Sequence, residues 1–175
     1  MYLEIDTGRD RDARQLLDYL DREREQGRGL HNRYGEPMDQ REIQRFIQRS
    51  EEYEYERQVI ISPEFGEALS DDEMSLATRE TMREFVEDRP TATYCYAIHR
   101  DTEHPHAQVA LTGSKADLWT DQDDLDRTKE RAKDRFRERE LRRERERERD
   151  RQHERDRSPE PEREREPDRG RDRER

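Results

Sequence analysis

The chain has 175 residues, of which 49% are charged and only 26% are apolar, a composition too polar for a globular core of that length. The charge is uneven: 21 basic and 17 acidic residues follow position 126, which leaves 16 basic and 31 acidic residues before it. We therefore expect an acidic domain over residues 1–140 and a nearly neutral Arg/Glu-rich tail over 141–175. No apolar run approaches the ~20 residues that span a bilayer, and the N-terminus lacks a signal-peptide layout. These features predict a cytoplasmic protein without membrane insertion.

Hydrophobic periodicity predicts the elements in chain order. They are a strand over 2–5, a helix over 10–25, a loop over 30–35, a helix over 39–52, a strand over 58–62, a helix over 70–88, two strands within 93–112 and a helix from Thr120. Asp39 with Glu42, and Ser70 with Glu73, form capping-box patterns at two of the helix starts.

This order predicts an α+β fold, an antiparallel sheet with helices packed on one face. The other face of the sheet would stay open. Beyond about Leu141 the apolar residues vanish, and the Arg/Glu segment is expected to continue as a solvated helix. Ser158-Pro159 is expected to break that helix, and roughly the last 15 residues should be disordered.

The two strands within 93–112 carry a cluster of histidines. Side chains alternate along a strand, so His99 shares a face with Thr93, Cys95 and Ala97, and His106 shares one with Gln108 and Ala110. In an antiparallel hairpin these two faces coincide, which would bring His99, His106 and Gln108 together with His104 at the rim. Imidazoles on adjacent strands are a natural divalent-metal site.

The histidine segment resembles a motif of a known family. Residues 99–109, His-Arg-Asp-Thr-Glu-His-Pro-His-Ala-Gln-Val, resemble the third motif of the conjugative relaxases, the plasmid mobilisation nucleases of the HUH endonuclease superfamily. That motif is His-x-Asp, a short spacer and Pro-His-x-His. Residues 16–22, Leu-Leu-Asp-Tyr-Leu-Asp-Arg, resemble the first motif, whose tyrosine is the nucleophile. The resemblance covers residues 1–140, is closest to the T-DNA border-nicking type and implies the HUH/ferredoxin-like relaxase fold.

The resemblance also implies a reaction on single-stranded DNA at a transfer-origin nick site. Tyr19 would attack a phosphodiester and form a 5′-phosphotyrosine, which splits cleavage and rejoining into two steps. His99 and His106 would hold Mg²⁺ or Mn²⁺, and Asp101 would fix the tautomer of a histidine. Tyr34, in the glycine-flanked loop, is the reserve candidate for the nucleophile.

One position departs from the family pattern. Gln108 stands where the family has its third histidine. Its amide oxygen is a legitimate ligand for Mg²⁺, and His104 is an alternative third ligand if the second strand begins early. A weakened or inactive metal site is the remaining interpretation.

A basic cluster follows Tyr19 in the otherwise acidic domain. Its members are Arg22, Arg24, Arg28, His31 and Arg33. The arginines are candidate phosphate contacts, with Tyr34 available for base stacking; a solvated loop that pairs with nearby glutamates is the simpler alternative. The tail is interpreted as a spacer or as a docking arm for relaxosome or secretion coupling proteins.

Three other functions compete with the relaxase interpretation. A rolling-circle initiator is disfavoured, because its nucleophile follows the histidine motif and no tyrosine follows Tyr96. A catalytically degenerate relaxase-fold DNA-binding accessory protein is favoured by Gln108 and by the acidic domain. A structural metal-binding protein is the third possibility.

Overall fold

The computed structural model describes residues 2–6, 29–53, 56–100 and 103–157, with side chains from Gly29 onward in these ranges up to Arg155. The expected helix over 10–25 and the expected disorder of the last residues lie outside this part of the chain. The chain divides into two compact units, Met1–Arg142 and Arg143–Arg175. No helix in the described ranges is long and apolar enough to cross a membrane.

The described elements alternate between strands and helices. In chain order they are β1 (Tyr2–Asp6), β2 (His31–Asn32), α1 (Gln40–Tyr53), β3 (Glu56–Ser62), a 3-10 helix (Gly66–Ala68), α2 (Asp71–Val86), β4 (Thr93–His99), β5 (His106–Thr112), α3 (Lys115–Leu118) and α4 (Gln122–Arg157). The two-residue β2, the 3-10 helix and α3 were not expected from the sequence. Residues 30–35 in particular were expected to be loop only.

The five strands form one sheet in the order β1-β3-β5-β4-β2, and every neighbouring pair is antiparallel. The α+β class and the antiparallel sheet are therefore confirmed. Each side of the sheet carries its own apolar cluster, because side chains of a strand alternate between the two faces.

The first face carries the larger core. Its buried strand residues are Val59, Ile61, Tyr94, Tyr96, Ile98, Ala107, Val109 and Leu111. Helix α2 contributes Met74, Ala77, Met82, Phe85 and Val86, and α4 contributes Ala132 and Phe136. Helices α2 and α4 therefore cover this face of the sheet through apolar side chains, as expected.

The second face is also covered, which corrects the expectation that all helices pack on one side. Ile43, Phe46 and Ile47 of α1 belong to a second buried cluster with Cys95, Ala97 and Ala110 of the sheet. These sheet side chains are small, so an apolar stripe at i, i+3 and i+4 can pack closely on them. Cys95 is thereby a packing residue, and burial raises the pKa of its thiol.

Capping interactions set the helix starts. The Glu42 and Asp39 side chains accept from each other's backbone N–H groups at 2.9 and 2.8 Å, and Ser70 with Glu73 forms the second capping box. The last long helix differs from expectation by one residue: Asp121, not Thr120, accepts the Asp124 N–H at 2.7 Å. Thr120 instead donates to the Leu118 carbonyl.

Ion pairs join α4 to α2 within the first unit. Arg131 and Arg135 contact Glu84 at 3.2 and 2.7 Å, and Arg139 contacts Glu80 at 2.6 Å. The Arg135 guanidinium hydrogen-bonds to Glu84 and lowers the pKa of that carboxyl. Charge therefore adds to the apolar contacts of Ala132 and Phe136.

The edge strand β2 is attached to β4 through an aromatic contact. His31 pairs with Tyr96 in the strand register, and their rings stack at 5.5 Å between centroids. Burial lowers the pKa of His31, and the Arg79 guanidinium lowers it further, against opposing contributions from the Gly29 carbonyl and Asp71. The folded chain thus disfavours the charged imidazole.

This His31 environment predicts an acid-sensitive fold. Because the folded-state pKa lies below the ordinary value of 6.5, the native state binds fewer protons than the unfolded state as the pH falls through that value. The free energy of unfolding should decrease as the pH falls below about 6.5. His31→Phe, which keeps a ring beside Tyr96, should remove this component in urea unfolding measured at pH 8 and pH 5. An unchanged pH slope in this variant would contradict the assignment.

Candidate active site

The β4–β5 pairing brings two predicted site residues face to face. His99 is paired with His106 in the strand register, and the two rings stack at 5.0 Å between centroids with 16° between their planes. His99 is 2% exposed, whereas His106 is partly accessible. The two imidazoles therefore lie side by side at one end of the hairpin, with His106 on the accessible side.

The ring of His106 has a defined orientation. Its Nδ1 lies 3.0 Å from the His104 carbonyl oxygen. A carbonyl can only accept, so Nδ1 carries the proton, and in the neutral ring Nε2 keeps the lone pair. Metal-ligating histidines are commonly held in this way by a backbone carbonyl.

Gln108 follows His106 on the same face of β5. It pairs with Ala97, whose methyl side chain occupies little of the space beside it, and it is 7% exposed. Consecutive residues on one face of a strand are about 6.6 Å apart. His99, His106 and Gln108 thus form the group expected from side-chain alternation, but it is largely buried and not spread on an open face.

His104 takes part through its backbone. Strand β5 begins at His106, so the idea that an earlier strand start would align His104 with His106 and Gln108 is wrong. Residues 103–104 form a bend in which the His104 side chain is exposed. Its described contribution is the carbonyl that orients His106.

Arg100 fastens the end of β4 directly after His99. Its guanidinium donates to the carbonyls of Leu69 and Gly66 at 2.6 and 3.2 Å and pairs with Asp71. On the other side of the hairpin, the Ser62 hydroxyl reaches the Pro105 carbonyl at 3.4 Å. The segment from Ser62 to Asp71 therefore holds both strands of the hairpin at the histidine end.

Gly66 allows this close contact. A Cβ added at Gly66 would lie 3.0 Å from the Pro105 carbonyl oxygen and 3.1 Å from its Cβ. Sequence reasoning missed both Arg100 and Gly66. The groups that Arg100 binds are mostly backbone carbonyls of residues more than 30 positions away. Because every residue has a backbone carbonyl, no pattern of residue types predicts these acceptors.

The buried tyrosines of β4 are held away from this group. Tyr94 donates to the carbonyls of Arg79 and Arg33 at 3.3 and 3.4 Å, and burial raises its pKa to about 12. Tyr96 shares a 2.5 Å hydrogen bond with Ser75, and burial raises its pKa as well. Both point to the face opposite His99, so neither can serve the histidine pair.

The loop after β2 displays the predicted stacking residue. The Asn32 side chain accepts from the backbone N–H groups of Tyr34 and Glu36 at 2.9 and 3.1 Å. Gly35 adopts a positive φ of 89°, a conformation that favours glycine. Tyr34 is 69% exposed, and the Arg33 guanidinium lies 5.6 Å from its ring centroid.

Tyr34 lies toward the opposite end of β4 from His99. Asn32 pairs with Cys95, four residues or about 13 Å along the strand from His99, and the chain continues away from it. Tyr53 is equally remote, because α1 ends there and β3 begins opposite Thr112, at the far end of β5. The geometry therefore disfavours Tyr34 as the reserve nucleophile and leaves it available as a stacking residue.

Several predicted residues lie outside the described part of the chain. They are Tyr19, Arg22, Arg24, Arg28 and Asp101.

The backbone of β1 adds one tyrosine position at the histidine end of the sheet: Tyr2 pairs with Ser62, one residue beyond the Ile61–Ala107 pair. Among the described residues, no group of three or more His, Cys, Asp or Glu side chains is arranged to hold a metal ion. Gln108, the predicted ligand that follows His106 on the same face of β5, would supply an amide oxygen as the third donor.

Comparison with known proteins identifies the class. The family model of the relaxase MobA/VirD2-like nuclease domain matches residues 21–150, about three quarters of the chain. No curated protein matches the sequence. The chain therefore belongs to the MobA/VirD2-like relaxases, and the relaxase resemblance is confirmed. Nuclease domains of this family nick DNA for mobilisation, bind DNA and generally depend on a divalent metal.

The Arg100 contacts predict a stability effect. Arg100→Gln removes charged hydrogen bonds to two backbone carbonyls and to Asp71, so it should lower the free energy of unfolding by roughly 1–3 kcal/mol. Arg45→Gln, on the exposed side of α1, is the matched control and should change it by less than about 0.5 kcal/mol. Urea unfolding measures both variants. Equal midpoints for Arg100→Gln and the unsubstituted chain would show that the Arg100 contacts contribute nothing.

Proposed function

We propose that this chain is a site- and strand-specific DNA relaxase of the HUH type, which initiates plasmid mobilisation by transferring a DNA strand to a tyrosine. The observation that carries this proposal is the His99–His106 pair, with the His106 ring oriented by the His104 carbonyl. Two adjacent imidazoles, one with its ring held by a backbone carbonyl, support a divalent-metal site at this position.

The donor set fits a divalent metal. His99, His106 and the Gln108 amide would hold it, with Asp101 as the carboxylate that fixes the tautomer of a histidine. Imidazole nitrogens suit transition metals better than Mg²⁺, which prefers oxygen ligands, so Mn²⁺ is favoured over Mg²⁺ for this donor set. When bound, the metal would neutralise the charge that develops on the scissile phosphate.

Tyr19 would perform the transfer. Its phenol oxygen forms a bond to the phosphorus, the bond from phosphorus to the 3′ oxygen breaks, and the DNA is left with a free 3′ hydroxyl. The phenol loses its proton to water or a base, and the leaving oxygen takes one up. A phenol with an ordinary pKa near 10 needs a nearby positive charge for this step, so the proposal requires Tyr19 to lie close to the histidines.

DNA would be held by the basic cluster that flanks β2 in the sequence. Arg22, Arg24, Arg28 and Arg33 are the proposed phosphate contacts, and Tyr34 is the proposed stacking residue. Its large exposed ring beside a guanidinium suits base–aromatic stacking. Since Tyr34 lies about 13 Å or more from His99, it would contact DNA away from the scissile phosphate.

The substitution of Gln108 for a family histidine supports a second candidate. A degenerate relaxase-fold protein would bind DNA as a relaxosome accessory protein without nicking it. The strongly acidic part of the sequence before residue 127 also favours weak, non-catalytic binding. A nicking test distinguishes the two functions, because only the enzyme forms a covalent product.

Tyr19→Phe gives that test. The unsubstituted chain, incubated with Mn²⁺ and single-stranded DNA from its own replicon, should form a chelator-sensitive adduct that peptide mass spectrometry assigns to Tyr19. Tyr19→Phe should form none while binding the same DNA, because it loses only the nucleophilic oxygen. Tyr34→Phe is the matched control and should keep the adduct. An adduct on Tyr2 would overturn the nucleophile assignment, and DNA binding without any adduct would favour the accessory protein.

Gln108 gives an independent test of the metal site. Gln108→His should raise the affinity for Mn²⁺ by roughly tenfold, about 1.4 kcal/mol, because imidazole is a stronger transition-metal ligand than a neutral amide. Gln108→Leu should lower it. Gln58→Leu, on the same sheet face opposite Ala110, is the control and should leave it unchanged. Electron paramagnetic resonance of free Mn²⁺ measures the affinity, and equal values for all three variants would place the metal elsewhere.

A further inference from the structure

Arginine recurs at every fourth position along α4. The members of this arginine row are Arg127, Arg131, Arg135, Arg139, Arg143, Arg147, Arg151 and Arg155. Residues four apart are surface neighbours on a helix, so the arginines form a row of like charge that winds around the helix by about 40° per step. Like charges at this spacing destabilise an isolated helix, whereas carboxylates beside the row stabilise it.

Within the first unit, carboxylates of α2 contact three members of the row. Arg131 and Arg135 contact Glu84, and Arg139 contacts Glu80. The two glutamates are themselves four residues apart on α2. The chain thus neutralises an arginine row with a matching row of carboxylates on a neighbouring helix.

The second unit repeats the row beside an acidic one. Of this unit the structure describes the helical residues 143–157, in which Arg147, Arg151 and Arg155 are exposed. Glu146, Asp150 and Glu154 form an acidic row at the same four-residue spacing. Residues 143–157 contain seven arginines and six acidic residues, so the segment is nearly neutral and presents both charges in parallel lines.

We propose that residues 143–157 pair with the same segment of a second copy of this chain, through the arginine row of one helix and the acidic row of the other. The segment carries both halves of the interaction that α2 and α4 make inside the first unit. A second copy supplies carboxylates at the required spacing. DNA is the less suitable partner, because its phosphates would meet an acidic row beside each basic one.

The two rows also determine the orientation of the pair. In a parallel pair, a two-fold axis along the helices places the arginine row of each copy opposite the acidic row of the other. In an antiparallel pair, like rows face each other. The same two-fold symmetry relates the charged flanking positions of parallel coiled coils, which recur every seven residues. The proposed pair is therefore parallel, and with no apolar seam it should be weak and sensitive to salt.

Sedimentation velocity of the full chain tests this pairing. At low salt the unsubstituted chain should show a concentration-dependent dimer, which should dissociate at ~1 M salt, where the Debye length is about 3 Å. Arg147→Glu/Arg151→Glu makes the middle of both rows acidic and Glu146→Arg/Asp150→Arg makes it basic, so each variant alone should remain monomeric. An equimolar mixture of the two should restore the dimer. Arg145→Glu/Arg149→Glu alters a different row by the same charge and should keep it.

Several results of this experiment would contradict the proposed pairing. A chain that remains monomeric at low salt would overturn the proposal, and so would single variants that dimerise as well as the unsubstituted chain. Loss of the dimer in Arg145→Glu/Arg149→Glu would show a general charge effect in place of row pairing. A monomeric chain whose single-stranded DNA binding falls in Arg147→Glu/Arg151→Glu would assign the row to DNA. None of these outcomes depends on nicking activity.

Discussion

The register between β4 and β5 is the interaction on which the candidate site depends. Because side chains alternate, a slip of one residue would move every side chain of one strand to the other face. His106 and Gln108 would then point away from His99 and into the Tyr94–Tyr96 core. The register is held from both directions: β5 also pairs with β3 over six positions, and Arg100 binds the segment that runs from β3 to α2.

Local patterns predicted the parts of this structure that are decided locally. Alternation along residues 93–112 assigned the two faces of the hairpin correctly, and side-chain hydrogen bonds confirm two capping boxes. The fourth helix shows the limit, since Thr120 and Asp121 are both good N-cap residues. Only the observed hydrogen bond from the Asp124 N–H decides between them.

The covering of the second face could not be derived in the same way. The apolar stripe of α1 indicates that one side of this helix is buried. It does not indicate which face of the sheet the helix covers. The small side chains Cys95, Ala97 and Ala110 were a usable signal, because they leave room for a helix to approach. The open face was predicted from the histidines, and the small size of these three side chains was not taken into account.

The candidate site residues show the same difference between features that local sequence decides and features that distant segments decide. The placement of His99, His106 and Gln108 on one face of the hairpin was predicted because it follows from strand geometry and a motif. Arg100 was missed because its acceptors are carbonyls contributed by a distant segment. A residue that orients a site through backbone groups leaves no pair of residue types to recognise, so only the folded chain reveals it.

The charge of this domain limits how strongly it can attract DNA. The sequence before residue 127 has 15 more acidic than basic residues, and several arginines of the first unit already bind the protein itself. Arg131, Arg135 and Arg139 contact glutamates of α2, while Arg79 and Arg100 donate to backbone carbonyls. These guanidinium groups supply little positive potential to a ligand.

DNA binding by such a domain has two opposing salt responses. Phosphate contacts weaken as salt rises, because the release of counterions from DNA then contributes less free energy. The repulsion between an acidic domain and DNA is screened over the same range. Under the proposed function, this balance would make affinity less dependent on salt than in a basic DNA-binding protein. Recognition would then rest on short-range contacts, for which the exposed ring of Tyr34 and the Arg33 guanidinium beside it are the candidates.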